Sequence, residues 1–331
     1  MLIKDIGEQG LLTILQKFCP AEIVGDDCAV IPTNPHKSLA ITTDMLVDGV
    51  HFSDRTTSPY DAGWRAAAAN LSDLAAMGAT PLAVTVALAV TADTAVLWVE
   101  EFYRGMTACL QEYHTPIAGG DVVRSPVVTV AITAFGEVEC DRSIRRSNAR
   151  SGWAIVATGV HGASRAGLEL LLNPEFGQNL GKGDRTSLIL AHQRPKPRLD
   201  VLPILWEILG FEGEFSIAGM DSSDGLADAI IQICRASGVG AKVDRPKIPI
   251  PHIFSELVSP EKALDWALYG GEDFELVLFL PMDHAELLVE KIGNGAAIVG
   301  ITTDSTDIWL TDSSGIYADI VLKLDRGFQH F

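Results

Sequence analysis

The sequence predicts an α/β protein of two domains, in which helices flank mixed sheets. The spacing of apolar residues switches repeatedly between strand and helix periods along the 331 residues, as expected when the two elements alternate. An arginine-rich segment without a long apolar run, residues 141–152, interrupts this pattern. We interpret it as the junction between an N-terminal domain, residues 1–140, and a C-terminal domain, residues 141–331, each of ordinary size.

The N-terminal half predicts three strands and two helices. Residues 39–43 and 82–90 have strand character, and the alanine-rich segment between them predicts a helix that ends near Gly78. An apolar face of helical period predicts a second helix from about Thr94 to Tyr113. The third strand is expected in the alternating run at 127–138. The order of these elements is typical of a sheet with crossing helices.

The C-terminal half predicts the same alternation. Residues 153–160 form a predicted strand, and a helix is expected to begin at Ser164. The polar, glycine-containing segment 173–190 predicts a mobile loop. A second helix is expected over 222–238, with a serine start and a glycine stop. The apolar run at 272–281 predicts a strand that ends at Pro281.

The charge and cysteine content exclude several classes of protein. A formal net charge of −18 disfavours a nonspecific partner of nucleic acid or of an anionic membrane, because both attract basic surfaces. No apolar run has the length of a membrane span, and the N-terminus does not resemble a secretory signal. The five cysteines contain no CxxC pair, so neither a disulfide framework nor a structural zinc site is indicated. We expect a cytoplasmic protein.

Aspartates beside Gly, Ser or Thr carry most of the chemical information. Each alone is typical of a helix cap or a turn, and the glycine pair in GGDVVRSP predicts a tight turn that bears a carboxylate. Together they predict a carboxylate cluster at one edge of a sheet, where α/β proteins assemble sites. Oxygen ligands of this kind favour Mg²⁺ or Mn²⁺ and phosphate chemistry. These aspartates are Asp26, Asp27, Asp44, Asp48, Asp73, Asp121, Asp221 and Asp224.

The common nucleotide and hydrolase signatures are missing. The segment GQNLGKGD is one residue short of a P-loop and lacks its Ser or Thr, and neither GxGxxG nor a GxSxG elbow occurs. Any ATP site must therefore be centred on metal ions. The arginines of the junction, Arg142, Arg145, Arg146 and Arg150, could contact phosphate or belong to a solvated linker, and His51 could be a ligand or a packing residue.

Several motifs, in this order, resemble the thiamine-monophosphate kinase family over the whole chain. They are GDDCAV, ITTD with DGVHF, NLSDLAAMGA, GGD, RRSNA, SRAGLELL, RPKPRL, DSSDGL, GGEDFEL and the terminal GFQHF. The resemblance implies two α/β domains like those of aminoimidazole ribonucleotide synthetase, a homodimer formed through N-terminal strands, and phosphorylation of thiamine monophosphate by ATP in a direct in-line transfer. It also implies that no residue acts as a general base, since the attacking phosphate oxygen is already ionised.

The resemblance assigns roles to matching positions. It implies that several Mg²⁺ ions are held by Asp27, Thr42, Thr43, Asp44, Asp73, Asp121, Asp221 and Asp224. ATP would be contacted by Tyr103, Gly120, Asp121, Arg146 and Ser223. The thiamine substrate would be contacted by His51, Glu272 and Phe328.

Three alternatives stay open at the level of sequence. Another ATP-dependent enzyme of the same superfamily would share many of these motifs, although GGEDFEL fits those relatives less well. A noncatalytic protein that binds divalent cations would show metal affinity without dependence on ATP. An acidic scaffold for protein interactions would show neither property.

Overall fold

The computed structural model describes residues 1–20, 33–210, 215–293 and 295–323. The chain divides into two compact units. The first comprises residues 1–74 and 79–140, and the second comprises residues 75–78 and 141–331. Each unit contains one β-sheet with helices packed against it. The mixed α/β class predicted from the sequence is therefore confirmed.

The first unit is built on a four-stranded mixed sheet. The strands run in the order β1-β4-β2-β3, and only the pair β2–β3 is parallel among the three described pairs. In chain order the elements are α1 (Ile3–Leu15), β1 (Lys37–Val47), α2 (Pro59–Ala76), β2 (Thr80–Val90), α3 (Val96–Glu112), β3 (Ile117–Arg124) and β4 (Thr129–Glu139). The strands predicted at 39–43, 82–90 and 127–138 and both predicted helices are confirmed.

Helices α2 and α3 approach each other at two glycines. A Cβ added to Gly63 of α2 would lie 1.9 Å from the carbonyl oxygen of Phe102, and one added to Gly105 of α3 would lie 1.8 Å from that of Tyr60. Any side chain at either position would collide with backbone, which cannot rotate away. The two glycines therefore permit the close packing of α2 on α3.

The two faces of this sheet have different surroundings. Strand alternation turns Val86, Leu88 and Ile132 inward, where each is at most 1% exposed. On the opposite face of β1, Ile41 and Met45 are 58% and 56% exposed. An uncovered apolar strand face is uncommon in monomeric proteins when it forms a contiguous patch. The inner face is the one that packs on α2, since a Cβ added to Gly136 of β4 would lie 3.0 Å from a methyl carbon of Leu74.

The second unit is built on a seven-stranded mixed sheet in the order β11-β10-β7-β9-β5-β8-β6. Its strands are β5 (Ala154–Ala157), β6 (Ala218–Asp221), β7 (Gly240–Asp244), β8 (Leu276–Leu280), β9 (Ala297–Thr303), β10 (Ile308–Thr311) and β11 (Ile320–Val321). Its helices are α4 (Ala163–Leu172), α5 (Lys182–Gln193), α6 (Val201–Leu209), α7 (Leu226–Ser237), α8 (Phe254–Leu257), α9 (Pro260–Tyr269) and α10 (Met282–Ile292).

Apolar cores cover both faces of the second sheet. In β8 the residues Val277 and Phe279 join a core with α7 and α9, whereas Leu276, Leu278 and Leu280 join a core with α6 and α10. All five residues are fully buried. A strand buried on both faces has a continuous apolar sequence instead of an alternating one, which explains the run LVLFL.

The sequence predictions for residues 119–121 and for residues 182–190 were wrong. Gly119, Gly120 and Asp121 do not form a tight turn, because all three lie within β3 and pair with β2. Residues 182–190 do not belong to a loop, because α5 begins at Lys182. Arg185 stabilises this helix by donating hydrogen bonds to the carbonyl oxygens of Leu170 and Phe176, at 3.2 and 3.1 Å. Such long-range contacts leave no periodic signal in the sequence.

Candidate functional site

In the first unit, polar side chains link β1 to α2. The Thr42 hydroxyl donates a hydrogen bond to a carboxylate oxygen of Asp73, and the amide of Asp44 donates to Asn70 Oδ1 at 3.2 Å. Asn70 is fully buried and its side-chain amide donates to the carbonyl of Ala66. The motifs ITTD and NLSD are therefore adjacent in space, and they place the oxygen atoms of Thr42 and Asp73 together.

Thr43 and Asp121 lie away from this pair. Thr43 alternates to the outer face of β1, where its hydroxyl is 2.9 Å from that of Thr133. Asp121 is in register with Ala87 of β2, and Ala87 pairs with Ala131 of β4, which pairs with Met45 of β1. Two strands therefore separate Asp121 from β1. The first unit brings Thr42 and Asp73 together but does not bring Asp121 to them.

Gly120 has a structural reason to be glycine within β3. A Cβ at this position would lie 2.1 Å from the carbonyl oxygen of Val86 on β2. Its neighbour Asp121 is exposed, and one of its carboxylate oxygens accepts a hydrogen bond from the Val122 amide at 2.9 Å. Pairing with β2 thus accounts for the glycine, while a role towards ATP stays a prediction.

Tyr103 and His51 occupy different environments. Tyr103 is 4% exposed and its ring lies 5.4 Å from that of Phe18; burial raises the pKa of its phenol well above the usual value. His51 accepts a hydrogen bond from the Val47 amide at Nδ1, at 3.0 Å. This bond places the proton of the neutral imidazole on Nε2. The His51 ring is thereby oriented as a hydrogen-bond donor.

In the second unit, the DSSDG motif connects β6 to α7. Asp221 is the last residue of β6 and 4% exposed, and one of its oxygens accepts a hydrogen bond from the Ser223 hydroxyl at 3.0 Å. Gly225 has a φ of +108°, a conformation that favours glycine, and it precedes α7. Asp224 is exposed. The helix predicted over 222–238 begins at Leu226 without a serine cap and ends before Gly238 as expected.

The GGEDFEL loop lies beside this motif. The amide of Glu272 donates to the carbonyl of Ser223 at 2.7 Å, so the structure brings these two predicted site residues together. Glu272 and Phe274 have φ values of +58° and +52°, which residues with a Cβ rarely adopt. Strained backbone of this kind is typical of functional sites, provided that the surrounding contacts enforce it.

Partly buried polar contacts hold the conformation of this loop. Asp273 accepts hydrogen bonds from the amides of Gly162 and Ser164 at the start of α4, at 2.6 and 2.9 Å. Burial raises its pKa to about 7, although these two N–H groups favour the charged form. Glu275 pairs with Arg198 and accepts from the Thr158 hydroxyl. One sequence signal indicates that Asp273 and Glu275 hold this loop. Both lie in the GGEDFEL motif, which also contains the predicted site residue Glu272.

His161 supports the neighbouring Ser222. It is fully buried, with Nδ1 3.0 Å from the carbonyl of Gly159 and Nε2 3.1 Å from the Ser222 hydroxyl. Burial lowers the pKa of His161 to about 4, so the ring is neutral at pH 7. A neutral ring donates at Nδ1 to the carbonyl and accepts at Nε2 from the serine. No pattern in the sequence predicts this contact, because the residues are far apart in the chain.

The junction arginines make separate contacts. Arg146 is exposed and donates to Gln232 Oε1 of α7 at 3.0 Å, while Arg145 donates to the Ser143 hydroxyl at 3.1 Å. Arg142 lies 5.8 Å from the ring of Phe215, and Arg150 lies 6.0 Å from that of Trp153. Arg142 and Arg150 thus stack on aromatic rings of the second unit. The side chain of Arg146 is held by α7, the helix that follows DSSDG.

A complete metal site is not assembled by the residues described. Within that part of the chain, no three His, Cys, Asp or Glu side chains lie close enough together to hold a metal ion. Asp27 and Phe328, two predicted site residues, lie outside the described residues. The described residues bring together two pairs of oxygen groups. One is the Thr42 hydroxyl with the Asp73 carboxylate, and the other is the Asp221 carboxylate with the Ser223 hydroxyl. Oxygen ligands of this type suit Mg²⁺ chemically.

The described helices also bear on the membrane question. Within the described ranges, none is both long enough and apolar enough to cross a bilayer. The 18-residue α2 carries the polar residues Asn70 and Asp73, which bond to β1.

Comparison with known proteins identifies the class. The model of the AIR synthase related protein N-terminal domain matches residues 25–138, and that of the C-terminal domain matches residues 150–313. The thiamine-monophosphate kinase of Synechococcus elongatus is 49% identical over 99% of this chain and 98% of its own. The chain belongs to the thiamine-monophosphate kinase family within the AIR synthase related proteins, which confirms the resemblance drawn from the sequence.

Solved structures agree with this assignment. A crystal structure of thiamine-monophosphate kinase from Stenotrophomonas maltophilia is 31% identical, with a TM-score of 0.78, and the match covers 92% of this chain and 95% of that one. The structure of AaThiL complexed with AMPPCP and TMP is 29% identical, with a TM-score of 0.71. It covers 98% of this chain and 99% of its own. Both units therefore have counterparts in these structures.

Proposed function

We propose that the protein transfers the γ-phosphoryl group of ATP to thiamine monophosphate, giving thiamine diphosphate and ADP. The observation that carries the proposal is the 49% identity over nearly the whole chain to a thiamine-monophosphate kinase. The complex of AaThiL with AMPPCP and TMP supports it, because that protein binds both kinds of molecule named. The reaction would complete the synthesis of thiamine diphosphate.

The residues in this proposal lie in both units, and each unit is considered by itself. Residues 1–140 would hold metal ions and ATP, through Thr42, Thr43, Asp44, Asp73 and Asp121 together with Asp27, Tyr103 and Gly120. Asp221 and Asp224 of residues 141–331 would bind further ions, and Ser223 and Arg146 would contact the nucleotide. Mg²⁺ would supply charge neutralisation on the phosphates. The contact between Thr42 and Asp73 supports this assignment, since both groups are hard oxygen ligands.

The substrate side of the proposal involves His51, Glu272 and Phe328. A half-exposed carboxylate such as Glu272 can balance the charge of a thiazolium ring, and an aromatic side chain can stack on a flat heterocycle. We infer that no side chain is needed as a general base. A phosphate monoester with a second pKa near 6 is largely ionised at neutral pH, so positioning and electrostatics would provide the catalysis.

We also propose that the chain forms a homodimer through the outer face of β1. Leu39, Ile41 and Met45 alternate along this face and are 49%, 58% and 56% exposed. Together with Val123, which is 51% exposed on β3, they present apolar surface that a second copy could cover. The exposed face includes Thr43 and Asp121, two of the predicted metal ligands. A dimer would therefore change the surroundings of both.

The test is an assay of purified protein with ATP, Mg²⁺ and thiamine monophosphate, in which thiamine diphosphate and ADP are quantified together. Equal amounts of both products, lost on addition of a chelator, are expected. Thiamine is the control substrate, because it lacks the phosphate nucleophile and should give no product. Failure to consume thiamine monophosphate would overturn the proposal. Metal binding without any ATP dependence would then favour a noncatalytic cation-binding protein.

A further inference from the structure

A buried histidine lies behind Glu272. His192, in the last turn of α5, has a side chain that is 3% exposed. Its Nδ1 is 3.6 Å from Glu272 Oε2 and 3.2 Å from the Ser164 hydroxyl. The imidazole therefore sits between the first turn of α4 and the GGEDFEL loop. The Glu272 side chain is 37% exposed. Its Oε2 therefore lies beside the histidine, while the exposed part of the carboxylate is accessible to a ligand.

The contacts of His192 belong to a closed ring. The Ser164 hydroxyl meets His192, and the Ser164 amide donates to Asp273 at 2.9 Å. Asp273 follows Glu272 in the chain, and the contact of Glu272 Oε2 with His192 Nδ1 closes the ring. The ring thus joins four residues from α4, α5 and the loop. A ring of this kind fixes the loop more firmly than any of its contacts alone, because the buried members cannot move independently.

Glu272 needs such support. Its φ of +58° belongs to a region that residues with a Cβ avoid, and its amide is committed to the carbonyl of Ser223 at 2.7 Å. The backbone therefore determines where the side chain starts, but a glutamate has three side-chain torsions through which its carboxylate can change position. An imidazole beside Oε2 restricts that rotation.

We propose that His192 is a positioning residue that holds the Glu272 carboxylate in place for the cationic heterocycle of the substrate. The inference rests on the proposed function, because it takes thiamine monophosphate as the ligand of Glu272. His192 itself is too deeply buried to contact the substrate. Its effect should reach the substrate only through Glu272.

Two substitutions at this position separate positioning from packing. In His192→Asn the amide nitrogen is bonded to Cγ, as Nδ1 is in histidine, so a donor remains between Ser164 and Glu272. In His192→Gln the amide lies one carbon further out, so the donor is displaced while polarity and approximate size are kept. Thermal unfolding of both variants shows whether each is folded, and only folded variants are compared.

The measurement is the dissociation constant for thiamine monophosphate, determined by calorimetry without ATP, so that it does not depend on turnover. We expect His192→Gln to weaken binding at least about 10-fold and His192→Asn to weaken it no more than about 2-fold. The affinity for AMPPCP should stay unchanged in both. Equal substrate affinity in His192→Gln and in the wild type would overturn the inference.

A second comparison tests whether His192 acts through Glu272. In a Glu272→Gln background, where no carboxylate remains to be held, His192→Gln should weaken binding no further. Additive losses would show an independent structural effect and would contradict the inference. Failure of the proposed function has a different signature. In that case the wild type would bind thiamine monophosphate without converting it to the diphosphate, and the binding comparison would still decide the role of His192.

Discussion

At the scale of single residues, hydrogen bonds distinguish the predicted site residues from one another. The Asp73 carboxylate accepts a hydrogen bond from the Thr42 hydroxyl, and one Asp121 carboxylate oxygen accepts a hydrogen bond from the neighbouring Val122 amide. The sequence predicts metal-ligand chemistry for both, because Asp beside small polar residues is typical of oxygen-ligand sites, and this stays a prediction. It could not predict their separation. That separation follows from strand order, which local patterns do not encode.

Asp73→Asn tests the metal assignment. The amide keeps an oxygen that can accept from Thr42, so the fold should be unaffected, but the negative charge is lost. We expect the kcat of thiamine diphosphate formation to fall at least about 100-fold, as measured by quantifying thiamine diphosphate and ADP together. Asp93→Asn is the matched control, since Asp93 is exposed and its described ion pair is with Lys4. An unchanged rate in Asp73→Asn would contradict the assignment.

At the scale of elements, the strongly periodic segments were predicted well and those that depend on tertiary contacts were not. The alanine-rich α2 and the apolar strand β8 followed from composition and period. The segment 173–190 has little apolar periodicity, and Arg185 of α5 donates hydrogen bonds to the carbonyl groups of Leu170 and Phe176, which precede the helix. The motif GGD predicts a turn because glycine pairs are common in turns. In the structure the second glycine of this motif, Gly120, lies in β3 and leaves room for the backbone of β2.

Gly105→Ala tests the close approach of α2 and α3. The added methyl group would lie 1.8 Å from the carbonyl oxygen of Tyr60, so the helices must separate. We expect a loss of about 1–3 kcal/mol in the free energy of unfolding, measured by urea denaturation. Gly183→Ala in α5 is the matched control, because nothing lies within 4 Å of its added Cβ. It should raise stability by up to about 1 kcal/mol. Equal effects of the two substitutions would refute the packing account.

At the scale of the whole molecule, each of the two compact units contains predicted site residues. The first contains the Thr42 and Asp73 pair, and the second contains Ser223 beside Glu272. The resemblance of the motifs predicts a set of site residues, and their roles stay predictions. Distances between distant motifs needed the fold. The apolar outer face of β1 is exposed, so the packing of a single chain does not explain why its residues are apolar.

Ile41→Asp tests the proposed dimer. Ile41 is 58% exposed, so the substitution should not disturb the fold of a monomer, but it would place a charge in an apolar interface. Light scattering after size exclusion should give twice the 35.5 kDa chain mass for the wild type and the single mass for the variant. Leu190→Asp, at a position 40% exposed on α5, should remain dimeric. A dimeric Ile41→Asp protein would exclude this interface.

The proposed reaction is phosphoryl transfer from ATP to the phosphate of thiamine monophosphate. Phosphorus NMR of a reaction with ATP and Mg²⁺ follows each phosphate directly. We predict that the monophosphate signal of the substrate is replaced by the two coupled signals of thiamine diphosphate, while ADP appears in equal amount. Inorganic phosphate with an unchanged substrate signal would mean hydrolysis of ATP alone. The appearance of AMP would mean pyrophosphoryl transfer, and either result would contradict the account.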